Sequence, residues 1–282
     1  MNATTATTAA AVPVALQVDG LAKTYTGHGP SVEAVRDLTF QVARGELVCV
    51  VGPSGAGKTT LLRCIAGLLD VSGGTISLDG APVTGPPAGM AVVFQEYGRS
   101  LFPWLTVRKN VELPLKEKGL SRADRTAKVD AALAAVGLRE NADAHPWQLS
   151  GGMQQRVAIA RAVAYEPSVL LMDEPFAAVD AQTRADLEDL VRQLWRQLGV
   201  TVLFVTHDID ESVYLAQRVL VLSNRPTVIL QDVRVDLPDD RNQLQTRSSA
   251  QFAEIRTQVY ELVQLAKKGH RPEHGPQGPI RR

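Results

Sequence analysis

The chain has 282 residues, of which 45% are hydrophobic and 21% charged, as is typical of a globular protein with a sizeable core. Thirty basic and thirty acidic residues give a formal net charge of zero, which argues against broad electrostatic binding to nucleic acid. Two cysteines, Cys49 and Cys64, are too few for a disulfide framework and fit a reducing compartment.

No apolar run approaches the roughly 18–20 residues that a membrane-spanning helix needs. The first basic residue is Lys23, so we expect no secretory signal and a cytosolic chain that reaches a membrane only through a partner. Residues 1–13, rich in Ala and Thr, and residues 269–282, rich in Pro, Gly and charge, are expected to be flexible tails.

The ordered pattern starts at VALQVDGLAKTY, where alternating apolar residues predict an edge strand. Four dense apolar segments follow at intervals and predict buried strands, at 47–51, 169–175, 201–207 and 218–223. Three amphipathic segments predict helices, at 121–136, 183–198 and 249–266. Buried strands that alternate with helices indicate an α/β fold with a mostly parallel sheet.

The segment GPSGAGKTT follows the first buried strand and precedes an apparent helix, which is the context that a phosphate-binding loop requires. Its glycines allow backbone N–H groups to point inward at an anion, and the helix adds its positive dipole end. The Lys58 charge suits outer phosphates, and the Thr59 hydroxyl suits Mg²⁺. The alternative is a glycine-rich turn that binds nothing. The predicted nucleotide contacts are Gly52, Pro53, Ser54, Gly55, Ala56, Gly57, Lys58, Thr59 and Thr60.

Acidic residues end the second buried strand, where ligands of such sheets collect. Asp173 is placed to hold Mg²⁺. Glu174 points another way because strand residues alternate faces, so it can face an attacking water as its base. The alternative is a simple acidic turn before Pro175.

Two further polar residues follow predicted strands. His207 can donate a hydrogen bond to a γ-phosphate or to the attacking water, although a single histidine is often only a surface or core residue. Gln95, after the apolar segment MAVVF, can offer its amide to Mg²⁺ or to the water, or can be an ordinary polar strand end.

The segment LSGGMQQRVAIARAVAYEP places Ser150, Gly151 and Gly152 at the start of a long helix, which predicts a second anion site. In this order GPSGAGKTT, Gln95, LSGGM, VLLMDEP, AAVD ending at Asp180, and His207 resemble the ATP-binding cassette family. The resemblance spans about residues 15–235. Tyr25 matches the family's adenine-stacking aromatic, although it can equally be a core ring.

The resemblance implies a P-loop NTPase (RecA-like) core with a mostly parallel sheet, an antiparallel β subdomain and an inserted helical subdomain at about 96–165. The ATPase domain would span 14–236, followed by a helical extension at 237–268. ATP would lie in a head-to-tail homodimer, between GPSGAGKTT of one copy and the Ser150 region of the other. The implied catalytic residues are Glu174, His207, Gln95 and Lys58, and the implied Mg²⁺ ligands are Thr59, Gln95 and Asp173. Gln95 and Asp180 are also implied as nucleotide contacts.

Two positions depart from the family pattern. The family usually has Gln directly after LSGG, where this chain has Met153. It usually has Ser in the segment that reads AAVD here, at 177–180. Neither change removes a phosphate ligand or a catalytic acid, so we expect altered tuning and retained activity. Because every matched motif lies before it, we also expect truncation at about residue 236 to leave ATPase chemistry intact.

The stretch FPWLTVRKNV resembles importers of nitrate, aliphatic sulfonates and taurine. Such importers have separate permease and solute-binding chains, so this chain would lie peripherally on the cytoplasmic side of the membrane. Phe102, Trp104 and Leu105 would then line a docking groove for a permease helix; the alternative is a locally buried aromatic cluster. The solute itself cannot be read from this chain.

Three other functions fit less well. A DNA-repair or chromosome-organising cassette needs a long coiled coil between its motifs, but only 92 positions separate Lys58 from Ser150. A translation-associated protein would carry two cassettes and a basic linker. A small-molecule kinase would leave LSGGM unexplained. The sequence therefore favours a transporter ATPase, with a non-transport ATPase of the same family as the alternative.

Overall fold

The computed structural model describes residues 13–26, 30–95 and 97–269. The two predicted tails lie outside these residues, apart from Pro13 and Gly269. The strands in this part of the chain are β1 Val14–Tyr25, β2 Val32–Ala43, β3 Leu47–Val51, β4 Gly73–Leu78, β5 Ala81–Pro82, β6 Met90–Val93, β7 Val169–Asp173, β8 Thr201–Val205, β9 Arg218–Leu222 and β10 Ile229–Arg234.

Helices lie between β3 and β4, between the successive strands from β6 to β9, and after β10. They are α1 Lys58–Ile65, α2 Tyr97–Ser100, α3 Val107–Glu112, α4 Arg122–Ala135, α5 Gly151–Ala164, α6 Ala181–Leu198, α7 Ile209–Leu215, α8 Gln243–Arg247 and α9 Ala250–Lys267. Short 3₁₀ turns occupy Leu113–Lys118, Arg139–Asn141 and Pro146–Gln148.

The larger sheet has the strand order β10-β9-β3-β8-β7-β6. Its strands from β9 to β6 are parallel, and only β10 runs antiparallel to its neighbour. All residues of β3, β7 and β8 are buried, as expected for a parallel sheet covered on both faces. Cys49, in β3, and Cys64, in α1, are both buried in the core as predicted. The carboxyl ends of β3, β6, β7 and β8 therefore meet at one edge.

A second sheet is antiparallel and has the order β2-β1-β4-β5. The prediction that β1 is an edge strand was wrong, because β1 pairs with β2 on one side and β4 on the other. Its alternation arises because Leu16, Val18 and Leu21 are buried. A period of two reports which face of a strand is buried, and it does not report how many strands flank it.

Helices α2 to α5 lie between β6 and β7 in the chain, which confirms the inserted helical part of the fold. The predicted helix at 121–136 is α4, and the Ser121 hydroxyl accepts a hydrogen bond from Asp124 N as its N-cap. The predicted helix at 183–198 begins two residues earlier, because Asp180 caps α6.

The predicted helix at 249–266 is α9, and it packs into the main core. Its buried residues are Phe252, Ile255, Val259, Val263 and Ala266. That core also holds Val213 and Leu215 of α7. Dispensability of the chain beyond residue 236 for ATPase chemistry stays a prediction, but this packing indicates that truncation would expose apolar side chains. Among the described residues, no helix combines the length and apolar character that a membrane crossing requires.

Candidate functional site

The segment GPSGAGKTT forms a tight loop between β3 and α1. Gly55 and Gly57 have φ angles of 78° and 79°, in the left-handed region that side chains other than glycine rarely adopt. A Cβ atom at Gly57 would lie 3.2 Å from Ala34 O. Gly57 is also the N-cap of α1, so the free N–H groups of that helix begin at the loop. The loop therefore has the backbone of an anion cradle.

Thr227, which is distant along the chain, supports this loop by direct contact. It is buried, and its hydroxyl donates a hydrogen bond to Ala56 O. Its backbone N–H donates to Ala34 O at 3.1 Å, and its carbonyl accepts from Arg36 N at 2.9 Å. Sequence reasoning missed Thr227, because no local motif marks a residue that lies 171 positions from its loop partner.

Lys58 is the cation of the loop and only 6% of it is exposed. Its Nζ donates to the carbonyls of Gly52 and Pro53, at 3.0 and 3.2 Å, and lies 3.7 Å from Glu174 Oε1. Burial lowers the pKa of Lys58, and the carboxylates of Glu174 and Asp173 oppose that shift. These contacts fix the ammonium group beside the phosphate-binding loop.

Thr59 and Asp173 bring two oxygen ligands together beside the cradle. The Thr59 hydroxyl donates to Asp173 Oδ1 at 3.3 Å. Asp173 ends β7 and is buried; burial raises the pKa of its carboxyl, while the Thr59 hydrogen bond opposes the shift. A hydroxyl beside a carboxylate is a donor set that suits Mg²⁺, so these residues fit the implied metal.

Glu174 and His207 form a pair next to Lys58. The Glu174 Oε2 and His207 Nδ1 atoms are 2.9 Å apart, and 57% of the His207 side chain is exposed against 19% for Glu174. Glu174 lies one residue beyond the end of β7, so the alternation of strand faces does not decide where its side chain points. Its φ of 44° is unusual for a residue other than glycine, and such backbone strain is frequent at functional sites.

The structure also locates Tyr25 and Gln95. The Tyr25 hydroxyl lies 3.1 Å from Thr60 Oγ1, and 43% of the residue is exposed, so Tyr25 is a surface ring beside the loop and not a core ring. Gln95 is exposed two residues beyond β6. It lies at the same edge of the sheet as the carboxyl end of β7.

The second predicted anion site is the start of α5. The Ser150 hydroxyl accepts from Met153 N at 3.3 Å as the N-cap, and both Ser150 and Gly151 are exposed. A Cβ atom at Gly152 would lie 2.4 Å from Thr183 Cγ2. Packing against Thr183 of the same chain therefore requires a residue without a side chain at position 152, which the sequence did not reveal.

Asp180 uses both carboxylate oxygens locally. They accept from Thr183 N at 2.9 Å and from Thr183 Oγ1 at 2.7 Å, and these hydrogen bonds lower the pKa of the Asp180 carboxyl. Ala177 and Ala178, in the departure from the family pattern, are exposed. The nucleotide contact predicted for Asp180 stays a prediction.

The loop after Gln95 presents aromatic side chains at the surface. Trp104 is 71% exposed and its ring contacts Phe102 at a centroid distance of 5.3 Å, which goes against a buried aromatic cluster. The buried Asn110 amide holds the loop by donating to the carbonyls of Phe102 and Leu105, both at 3.1 Å. Trp147, which the sequence reasoning did not single out, is also 71% exposed.

Comparison with known proteins agrees with this geometry. The ABC transporter family matches residues 35–177. The nitrate import ATP-binding protein NrtD of Synechocystis sp. is 47% identical over 233 residues, which cover 83% of this chain and 87% of that protein. The taurine import ATP-binding protein TauB of Yersinia pestis is 47% identical over 216 residues, which cover 77% of this chain and 82% of that protein.

A solved structure of a dimeric ATP-binding cassette, in a post-hydrolysis state bound to ADP and Pi, is also similar to this chain. It has a TM-score of 0.69 and 31% sequence identity, and the match covers 79% of this chain and 100% of that chain. The predicted resemblance and fold class are therefore confirmed. The family model and these relatives show that the chain belongs to the ABC transporter family.

Proposed function

We propose that this protein is the ATP-hydrolysing subunit of an importer for a small solute of the nitrate, sulfonate or taurine kind. One observation carries the proposal. His207 Nδ1 lies 2.9 Å from Glu174 Oε2, and Glu174 Oε1 lies 3.7 Å from Lys58 Nζ. These three side chains form a continuous polar chain directly beside a loop shaped to hold phosphates. The names of the nitrate and taurine relatives support the class of solute.

In the proposed reaction the loop N–H groups and Lys58 bind the β- and γ-phosphates of ATP. Thr59, Asp173 and Gln95 are the residues that would hold Mg²⁺, which supplies positive charge to the phosphates when bound. Glu174 accepts a proton from the attacking water. His207 donates a hydrogen bond to the γ-phosphate, and its pairing with Glu174 keeps the imidazole next to the base.

The proposed ATP site is completed by a second copy of the chain. The buried half-site around Lys58 supplies the catalytic groups, while the exposed start of α5 supplies free N–H groups. In a head-to-tail homodimer, Ser150, Gly151, Gly152 and Asp180 of one copy would face the phosphates bound by the other copy. ATP would then bias a two-state equilibrium between closed and open dimers.

The proposed permease contact is the aromatic loop at 102–105. Exposed aromatic side chains are favoured anchors at protein interfaces, and Asn110 keeps this loop in one conformation. Through this contact the protein would lie peripherally on the cytoplasmic side of the membrane. An extracytoplasmic solute-binding protein would act through the permease and not through this chain.

The proposal is tested with Glu174→Gln, which keeps the shape of the side chain and removes its basicity. We expect turnover of MgATP to fall by about 100-fold or more, while ATP binding persists and holds the protein as a dimer. Hydrolysis is followed by phosphate release, and association by light scattering after chromatography with MgATP. Glu254→Gln, at an exposed position on α9, is the matched control and should behave as the wild type.

Wild-type protein without MgATP turnover would contradict the proposal. A Glu174→Gln protein that stays monomeric with saturating ATP would contradict the dimer. Reconstitution with the permease of a nitrate or taurine importer, and uptake of the labelled solute, would then identify the solute.

A further inference from the structure

A small cavity is lined by Glu174 and His207. Its volume is about 20 Å³, enough for a single water molecule. Besides the two proposed catalytic residues, Arg184, Asp208 and Glu211 line it. These three residues are therefore close neighbours of the catalytic pair, although the proposed reaction assigns them no task.

The residues on either side of His207 are fixed by hydrogen bonds. Asp208 N donates to Thr206 Oγ1 at 3.0 Å, and Asp208 Oδ1 accepts from Glu211 N at 3.1 Å. The other carboxylate oxygen, Asp208 Oδ2, accepts from Arg184 NH1 at 3.2 Å. The short turn that carries the imidazole is thus anchored to one guanidinium group on another helix.

Arg184 lies in the first turn of α6, close to the proposed surface for the second copy. Its backbone N–H donates to Asp180 O at 2.9 Å. The preceding residue, Thr183, is the one that packs against Gly152. Arg184 therefore joins the segment that would face the partner's nucleotide to the turn that carries His207.

The charge of Arg184 has a clear counterpart. It forms an ion pair with Asp208 in which about two thirds of each side chain is buried, and Glu211, only 3% exposed, lies on the same cavity. Among the described residues, Arg184 Nε is buried and has no hydrogen-bond partner. Removal of this cation would leave Asp208 Oδ2 without the hydrogen bond that the guanidinium group donates.

We infer that Arg184 is a positioning residue that orients His207 through Asp208 and thereby supports ATP hydrolysis, an inference that rests on the proposed function. The orientation matters because His207 must meet both the Glu174 carboxylate and the γ-phosphate. Displacement of a catalytic group by a fraction of an ångström lowers turnover more than it lowers binding.

The first test is kinetic and uses full-length protein. Arg184→Gln should lower kcat by about 10- to 100-fold and change the KM for ATP by less than about twofold. Arg196→Gln is the matched control, since Arg196 lies on the same helix and pairs with Asp240 at 2.9 Å far from the site; its kcat should stay at the wild-type value. Arg184→Lys, which keeps the charge, should recover part of the lost turnover.

The second test reads the orientation directly, by NMR of histidine labelled with ¹⁵N. The chain has five histidines, and the His207 signal is assigned by its loss in His207→Gln. That signal should move in Arg184→Gln and in Asp208→Asn, and should stay in place in Arg196→Gln. The two site variants are independent, so a failure of one to fold leaves the other to decide.

Unchanged kcat in folded Arg184→Gln would overturn the inference. A loss of kcat with an unmoved His207 signal would also overturn it, because Arg184 would then act by another route. If the wild-type protein has no MgATP turnover, the proposed function fails instead. The NMR comparison still decides in that case whether Arg184 orients His207.

Discussion

The phosphate loop and the start of α5 both present free helix N–H groups, yet their surroundings differ. Around the loop, Lys58 and Asp173 are buried and hydrogen-bonded, and Glu174 with His207 completes the set of reactive groups. At α5, Ser150 and Gly151 are exposed. The first region is largely buried, and under the proposed function the second is a surface that a second copy of the chain completes.

The proposed function thus assigns catalysis and control to different parts of one chain. Groups that move protons or hold charge must be fixed in advance, and Lys58, Asp173 and Glu174 are held by hydrogen bonds at one edge of the parallel sheet. A group that senses assembly would stay accessible until the partner arrives. Variants in both regions test that division, starting at the phosphate loop.

The largest effect is expected at Lys58. Lys58→Ala removes the charge that lies over the cradle and should lower MgATP turnover by about 100-fold or more, with weaker ATP binding. Nucleotide titration and phosphate release measure the two losses. Lys116→Ala, at an exposed position, is the control. Equal affinity for ATP in Lys58→Ala and in the control would show that Lys58 does not bind the phosphates.

Gly152 tests the exposed side. Gly152→Ala should lower the free energy of unfolding by about 1–3 kcal/mol, because its Cβ would meet Thr183 Cγ2 at 2.4 Å. The added change Thr183→Ser removes that methyl group, keeps the hydroxyl that bonds to Asp180, and should restore stability. Denaturant unfolding measures this rescue.

The same pair separates packing from nucleotide contact at Gly152. If the stabilised double variant still has low turnover, the glycine is also needed for close approach of the partner's ATP. Recovery of both stability and turnover would show that Gly152 is required only for packing against Thr183. It would count against a contact between the start of α5 and the ATP bound by the second copy.

The next effect is expected at Glu211 and depends on pH. Burial raises the pKa of its carboxyl to about 8, well above the value near 4.3 of an unfolded chain. The folded protein thus holds this proton more tightly, so stability is fully present below about pH 4.3 and falls as the pH rises towards 8, by up to about 1.4 kcal/mol per pH unit. Glu211→Gln should flatten this decline in thermal unfolding between pH 5 and 8; a slope equal to that of the wild type would refute the assignment.

The smallest effect is expected at Tyr25. Tyr25→Ala should weaken ATP binding by about 3- to 10-fold, through loss of aromatic contact. Tyr25→Phe keeps the ring, loses only the hydroxyl next to Thr60, and should bind almost as the wild type does. Equal affinities for all three proteins would place the adenine elsewhere.

Local features of this molecule could be predicted from the sequence. The strand and helix that flank GPSGAGKTT, and the Ser121 and Ser150 caps, depend on residues within a few positions of each other. That Asp173 ends a buried strand followed from the apolar run before it. Each is decided by backbone geometry over one or two turns, which a sequence pattern reports directly.

Features that depend on distant contacts could not be predicted. The two neighbours of β1 are set by sheet pairing, and the Thr227 contact with the phosphate loop joins positions 171 residues apart. The contact of Gly152 with Thr183 and that of Arg184 with Asp208 likewise arise only when helices pack. Nothing in the adjacent residues signals them.

The central claim is that each ATP is held by the phosphate loop of one copy and the α5 start of the other. It is tested most directly by mixing two inactive variants, Lys58→Ala and Gly151→Asp. The aspartate repels phosphate but suits the first turn of a helix, so the fold should persist. The account predicts that mixed dimers regain turnover, because one of their two sites combines an intact loop with an intact α5. A mixture as inactive as either variant alone would contradict it.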